Sequence, residues 1–204
     1  MSTPKPAGTA PYRRSVGTAR GLQRRQQLLD RVTDDLAENG LADFSLRRAA
    51  RAAGTTHKVL LYHFDGIEDL LRQALLGLRD RRIDNALIRA RAIPTLAGRV
   101  RAIWPVLADD ATGLRVIDQA IGLAMYDPKR YRHLARDAAD QYIEPLESLC
   151  PSHWPAARRR EVAELMLAAM RGFLVEWRTN RDSERIDAGL AALERALDRE
   201  EAAG

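Results

Sequence analysis

The 204-residue chain holds one cysteine, Cys150. No internal disulfide can form, and nothing points to an oxidising compartment. No apolar run approaches the roughly 18 residues that a membrane span needs. The N-terminus carries basic residues without an apolar h-region, so it does not read as a secretory signal. A cytoplasmic protein with no membrane partner is the expectation. Strand-like alternation is missing, and with it any strand that could lead into a Gly-rich phosphate loop. There is no Gly-x-Ser-x-Gly element. Four histidines and one cysteine provide no metal-ligand spacing. Asp34-Asp35 and Asp109-Asp110 read as helix ends or solvated faces, His133 with Asp137 as an exposed helical pair, and Cys150 beside Pro151 as filler. The expectation is a protein that is not an enzyme, with no catalytic residue, no cofactor and no metal.

What is present is apolar and charged. A 46% apolar content is enough to bury a core and form one or two domains, and 30% charged residues argue for solubility. The net charge of +5 is unevenly spread. Residues 1–82 carry 15 Lys+Arg against 9 Asp+Glu, whereas residues 83–204 carry 18 against 19. The positive excess therefore lies in the first part of the chain, the footprint of a segment that meets nucleic acid.

That part contains the stretch FSLRRAARAAGTTHKVLLYHFDGIEDLL, Phe44 to Leu71. Ser45 is suited to cap a short helix. Leu46, Ala49, Ala50 and Ala53 follow at i, i+3, i+4, i+7, one apolar stripe. Gly54 stands where a left-handed residue closes that helix, and Thr55 or Thr56 can cap the next. Leu60 and Phe64 form the inward face of this second helix, with Lys58, Val59 and Tyr62 pointing the other way. Asp65 followed by Glu68 reads as a capping-box start for a third helix. Two short helices joined by a glycine turn make a helix-turn-helix, whose second helix enters the DNA major groove.

Read in order, Ala49, Ala53, Gly54, Leu60, His63, Phe64, Glu68 and Leu70 resemble the reading head of TetR/AcrR-family transcriptional regulators. The pattern is roughly apolar-Ala-x-x-Ala-Gly-Val-Ser-x-x-x-Leu-Tyr-x-His-Phe-x-Ser-Lys-Glu-x-Leu. Thr55 departs from its valine, Leu61 from its tyrosine and Gly66-Ile67 from its Ser-Lys. The resemblance covers about the first third of the chain. It implies an all-α fold with a three-helix DNA-binding domain followed by a helical domain for ligand binding and dimerisation. The expected division is a flexible basic arm over 1–19, the helix-turn-helix domain over 20–66 and the regulatory domain over 67–204.

Beyond the head, proline and glycine punctuate helical segments near 83–92, 95–108, 113–126, 129–149, 155–179 and 184–200. Helix 1 is expected over Gly21–Glu38 with Leu22, Leu29, Val32 and Leu36 as its seam, and helix 4 runs from Asp65 toward Arg82. The predicted DNA-contact set is Arg13, Arg14 and Arg20 from the arm, with Ser45, Arg47, Thr55, Thr56, His57, Lys58, Val59, Tyr62 and His63. Lys58 suits guanine or phosphate and Val59 a thymine methyl.

The resemblance also implies a small-molecule effector and a homodimer. Trp104, Leu107, Met125, Tyr126, Tyr142, Met166, Met170 and Phe173 are the expected ligand set, together with Tyr131 and Trp177, because polar-tipped aromatics and adaptable methionines suit a cavity. Arg115 and Arg171 are candidates to pair with an acidic ligand. The expected dimer face is Leu165, Ala169, Leu174 and Trp177 with Ile186, Leu190, Leu193 and Leu197, as in a four-helix bundle. One short recognition helix reaches few base edges, each worth roughly 1–3 kcal/mol. Pairing two heads makes the second contact intramolecular and calls for a pseudo-palindromic double-stranded operator. The expected function is a ligand-responsive dimeric repressor. The alternative is an all-α interaction or scaffold protein whose helix-turn-helix does not read DNA.

Overall fold

A computed structural model of the chain describes residues 18–109, 114–135 and 140–203. The described residues form ten helices and no strand, the all-α fold expected. α1 (Ala19–Asn39) begins at Thr18, whose hydroxyl accepts the Gly21 N–H at 3.1 Å. It buries Leu28, Leu29, Val32 and Leu36. Leu22, expected in the same seam, is instead 56% exposed, because the packed face of α1 begins at Leu28 and the preceding turns are largely open. α2 (Leu46–Ala52) and α3 (His57–His63) follow, separated by Gly54 in the left-handed region at φ +62°.

The start of α4 (Ile67–Ala90) differs from the Asp65–Glu68 capping box. Gly66 precedes the helix at φ +99° without a side-chain cap, and it is Asp69 whose carboxylate accepts the Asp65 N–H at 3.2 Å. Burial works against ionisation of Asp69, but hydrogen bonds from Gln73, the Asp65 N–H and Arg72 hold its carboxyl below the ordinary value. α4 also runs past Arg82 through 24 residues, absorbing the separate segment expected over 83–92. Nothing between Arg82 and Ala90 breaks a helix, and the next proline along the chain is Pro94.

α5 (Leu96–Ala108), α6 (Leu114–Tyr126), α7 (Pro128–Ala135), α8 (Asp140–Glu147), α9 (Ala156–Asn180) and α10 (Ser183–Ala202) complete the chain. The segment expected over 129–149 is described as α7 and α8.

Two cores organise these helices. The first joins α1, α2, α3 and the opening half of α4 to Val116, Ile117 and Ala120 of α6 and Leu134 of α7. The second joins the closing half of α4 to α5, α8, α9 and α10. α4 spans both.

The second core changes the reading of the C-terminal stripe. Leu174, Ile186, Leu190, Leu193 and Leu197, expected at a dimer face, are buried within their own chain. α10 lies on α5 and α9, pinned by Arg101 to Asp187 at 3.0 Å and by the Leu96 N–H to Glu201 at 2.9 Å. Its single apolar stripe is consumed there, each fully buried leucine contributing about 1.5–3 kcal/mol. Within this packing Phe173 lies against Gly189 and meets Trp104 edge-on, ring centroids 6.4 Å apart.

Candidate functional site

Two places in this fold are candidates for a functional site. The first is the outer surface of the helix-turn-helix. The Ser45 hydroxyl accepts the Arg48 N–H at 3.3 Å and the Thr56 hydroxyl accepts the Val59 N–H at 3.4 Å. Ala49, Ala50, Ala53, Leu60 and Phe64 turn inward. Arginines from α1 and α2 then lock the unit. Arg31 donates to the Ala53 carbonyl at 3.1 Å, closing the C-terminus of α2. Arg25 donates to the His63 carbonyl at 3.1 Å, reaches Gln73 and lies over the Phe64 ring. Arg48 is bound to Asp35 and to the Ala42 carbonyl.

Arg20, Arg47, Thr56, His57 and Lys58 of the expected DNA set are exposed. Ser45 is exposed too, its hydroxyl already serving as a cap. Thr55 and Tyr62 are half-buried, and Tyr62 meets His63 edge-on at 5.0 Å. Arg13 and Arg14 lie outside the described residues.

Two expectations are corrected. Val59 is half-buried and packs on the first core rather than facing outward. His63 has its Nδ1 buried; burial first, then Arg24 and Arg25, push it below its ordinary value and favour the neutral ring. Both residues belong to the closely packed side of α3. Sequence reasoning missed Leu61, which is 51% exposed. Its three-residue spacing from Lys58 puts the two on one face, and that spacing was the available signal.

The second place is a cavity of about 420 Å³ between α4, α5, α6, α8 and α9. Leu107, Met125, Tyr142, Met166 and Met170 of the expected ligand set line it. Trp104 and Phe173 do not, because they are occupied with one another and with the second core. Trp177 donates its indole N–H to the Ala108 carbonyl at 3.2 Å. Tyr126 is 88% exposed and Tyr131 packs on the first core.

The walls are mostly apolar, interrupted by Arg82, Asp118, Arg171 and Arg178. Asp118 pairs with Arg178 at 3.2 Å. Burial pushes the Asp118 carboxyl above its ordinary value, against the pull of Arg82 and Arg178. Arg82 is buried, and its guanidinium lies 5.8 Å from the centroid of the Tyr142 ring; that of Arg171 lies 6.0 Å from the same centroid. Burial lowers Arg171, Tyr142 works the other way and Arg82 adds to the lowering. Of these four charged residues only Arg171 was foreseen. Convergence of α4, α6 and α9 brings the others together, and no spacing along the chain reports it.

Among the described residues no group of His, Cys, Asp and Glu is arranged to hold a metal ion, and no helix is long and apolar enough to cross a membrane.

No protein-family model and no curated protein matches the sequence. Solved structures do. The chain is similar to SCO7518 of Streptomyces coelicolor A3(2), a protein assigned as a transcriptional regulator, at 27% identity over 86% of this chain and 98% of that one, with a TM-score of 0.67. It is similar to the multidrug binding protein EbrR complexed with imidazole at 21% identity, covering 86% and 90%, with a TM-score of 0.61. A TetR-family transcriptional regulator from Cytophaga hutchinsonii matches at 16% identity over 89% and 96%, with a TM-score of 0.67. From its helix-turn-helix head through its C-terminal helices, the chain has the fold of the TetR family of transcriptional regulators.

Proposed function

We infer that the chain is a DNA-binding transcriptional regulator. Two copies sit on a pseudo-palindromic operator as a repressor in the cytoplasm, and a small molecule entering the cavity releases them. The observation that carries this reading is the division of α3 into two faces. Leu60 and Phe64 are buried in the head, while His57, Lys58 and Leu61 stand open to solvent on a positively charged part of the chain. The fold shared with SCO7518, and the small molecule carried by EbrR in its complex, support both halves of the proposal. In this reading residues 20–66 read DNA and 67–204 regulate, although α4, α6 and α7 also contribute to the core of the head.

The pairing face lies on the outer side of α9 and α10. Leu165 and Val175 are 45% and 63% exposed, with Ala168 and Gly172 between them and Ala188 and Ala192 exposed on α10. Of the expected dimer residues, Leu165 lies on this face, while Ala169 and Trp177 are half-buried against the second core. Val175, Ala168 and Gly172 join the expected set in this reading; the small residues among them give little hydrophobic signal in the sequence.

The test is selection of binding sites from random double-stranded DNA, followed by a salt titration of the recovered sequence. A palindromic site whose affinity falls steeply with salt is expected, because phosphate contacts release counterions. Lys58→Ala combined with Tyr62→Ala is expected to cost about 2–4 kcal/mol of discrimination with the dimer intact by sedimentation. Recovery of no preferred sequence would overturn the reading.

A further inference from the structure

Arginines outnumber carboxylates in the lining of the cavity. Arg178 is committed, donating to Asp118 and to the carbonyls of Leu107, Ala108 and Asp109. Arg82 is not. It is 6% exposed, its Nε is buried, and among the described residues it makes no hydrogen bond or ion pair. Arg171 makes none there either; both guanidiniums lie near the Tyr142 ring, and the Tyr142 hydroxyl is itself buried without a partner.

An unpaired guanidinium taken out of water is strongly disfavoured unless an anion meets it. A second cation near the same ring adds repulsion. Among the described residues Asp118 is the one acid of the lining; it pairs with Arg178 and also attracts Arg82, while Glu164 outside the lining attracts Arg171, so three arginines still face a single lining carboxylate. The rest of the surface, including Ile103, Ile121, Met166 and Met170, is apolar apart from the Tyr142 hydroxyl and Thr179, whose hydroxyl donates to the Val175 carbonyl.

We propose that this cavity takes an amphiphilic carboxylate, an apolar body ending in one anionic head that accepts hydrogen bonds from Arg82. The planar fork of arginine matches the two oxygens of a carboxylate. Arg171 adds attraction through its charge, and the Tyr142 hydroxyl is a second donor for the polar end. The apolar body replaces water along α5, α6 and α9. Cations of similar shape are refused because nothing in the lining is free to neutralise them. The inference rests on the cavity being the effector site and deepens that reading by naming the chemistry of the effector.

Calorimetry on the full chain, without DNA, tests it with three probes of one chain length: decanoate, decanol and decyltrimethylammonium. Decanoate is expected to bind tightest, and Arg82→Met, which keeps volume and removes charge, to weaken it by about 10-fold or more. Arg82→Lys should weaken it less than Arg82→Met. Arg171→Met guards against misfolding of the Arg82 variants and should weaken decanoate severalfold while leaving decanol unchanged. Decanol or the cation binding as tightly as decanoate overturns the carboxylate assignment and leaves the effector cavity standing. Binding of none of the three overturns the assignment and the effector reading of the cavity together. Site selection on DNA remains a separate measure of the reading head.

Discussion

Cys150 packs between backbone carbonyls, its Sγ 3.7 Å from Leu146 O and 3.8 Å from Arg159 O. Burial pushes its thiol from 9.0 up to about 11. Below pH 9 the folded and unfolded chains both keep this proton, and the contribution to stability is intact. Between pH 9 and 11 the unfolded chain ionises first, so stability falls as pH rises. At pH 10 the loss from this group is about 1.4 kcal/mol. Urea unfolding of the wild type and Cys150→Ala at pH 8 and pH 10 checks it. The wild type should lose about that much more than the variant, and parallel losses would remove the argument. The filler role given to Cys150 was readable in the sequence, since a lone thiol beside a proline has no partner. Its raised pKa was not, because that depends on α8, α9 and the turn between them closing over it.

Helices were legible where a cap and a stripe coincided. Ser45 with Leu46, Ala49, Ala50 and Ala53 defined α2 almost to the residue, and Gly54 adopts the left-handed conformation its position demanded. What a stripe cannot report is which surface it meets. Ile186, Leu190, Leu193 and Leu197 have the same four-three-four spacing whether they face a second chain or their own core, and α5 decides it. Two glycines separate packing from propensity at this scale. At Gly77, inside α4, an added Cβ meets nothing within 4 Å. Gly77→Ala should therefore stabilise by up to about 1 kcal/mol. At Gly189 in α10 the same Cβ would lie 2.5 Å from Cε1 of Phe173. Phe173 is held edge-on by Trp104, so overpacking of about 1–3 kcal/mol outweighs the propensity gain of about 1. Gly189→Ala should be neutral to destabilising by about 2 kcal/mol. Thermal unfolding of both variants gives the signs, and a stabilised Gly189→Ala would show that the ring moves freely.

At the scale of the whole molecule, the reading head and the cavity share structure. α4 contributes Leu70, Ala74, Leu75 and Leu78 to the first core and Arg82, Ile83, Ala86 and Leu87 to the cavity wall. In the proposed function α4 is therefore the element through which ligand binding would reach the head. α6 also joins the two regions, which the sequence did not signal because its hydrogen bond to the α1–α2 loop spans nearly eighty positions. Ile117 belongs to the first core and also lines the cavity. Gln119, one residue past Asp118, accepts the Leu41 N–H at 2.9 Å, in the loop between α1 and α2. A ligand that binds Arg82 of α4, which attracts Asp118 of α6 without bonding to it, alters the forces on both helices. Coupling requires only that the ligand prefer the arrangement with the heads misplaced. Gln119→Ala removes the α6 tie at an exposed site where water can replace it, so folding stability should change by less than about 1 kcal/mol. The affinity of the selected DNA, measured with and without decanoate, should then show a ratio reduced by about threefold relative to wild type. An unchanged ratio shows that the Gln119–Leu41 hydrogen bond carries none of the coupling and leaves it to α4 and to Ile117 of α6. A lost ratio with intact decanoate binding makes α6 the principal path.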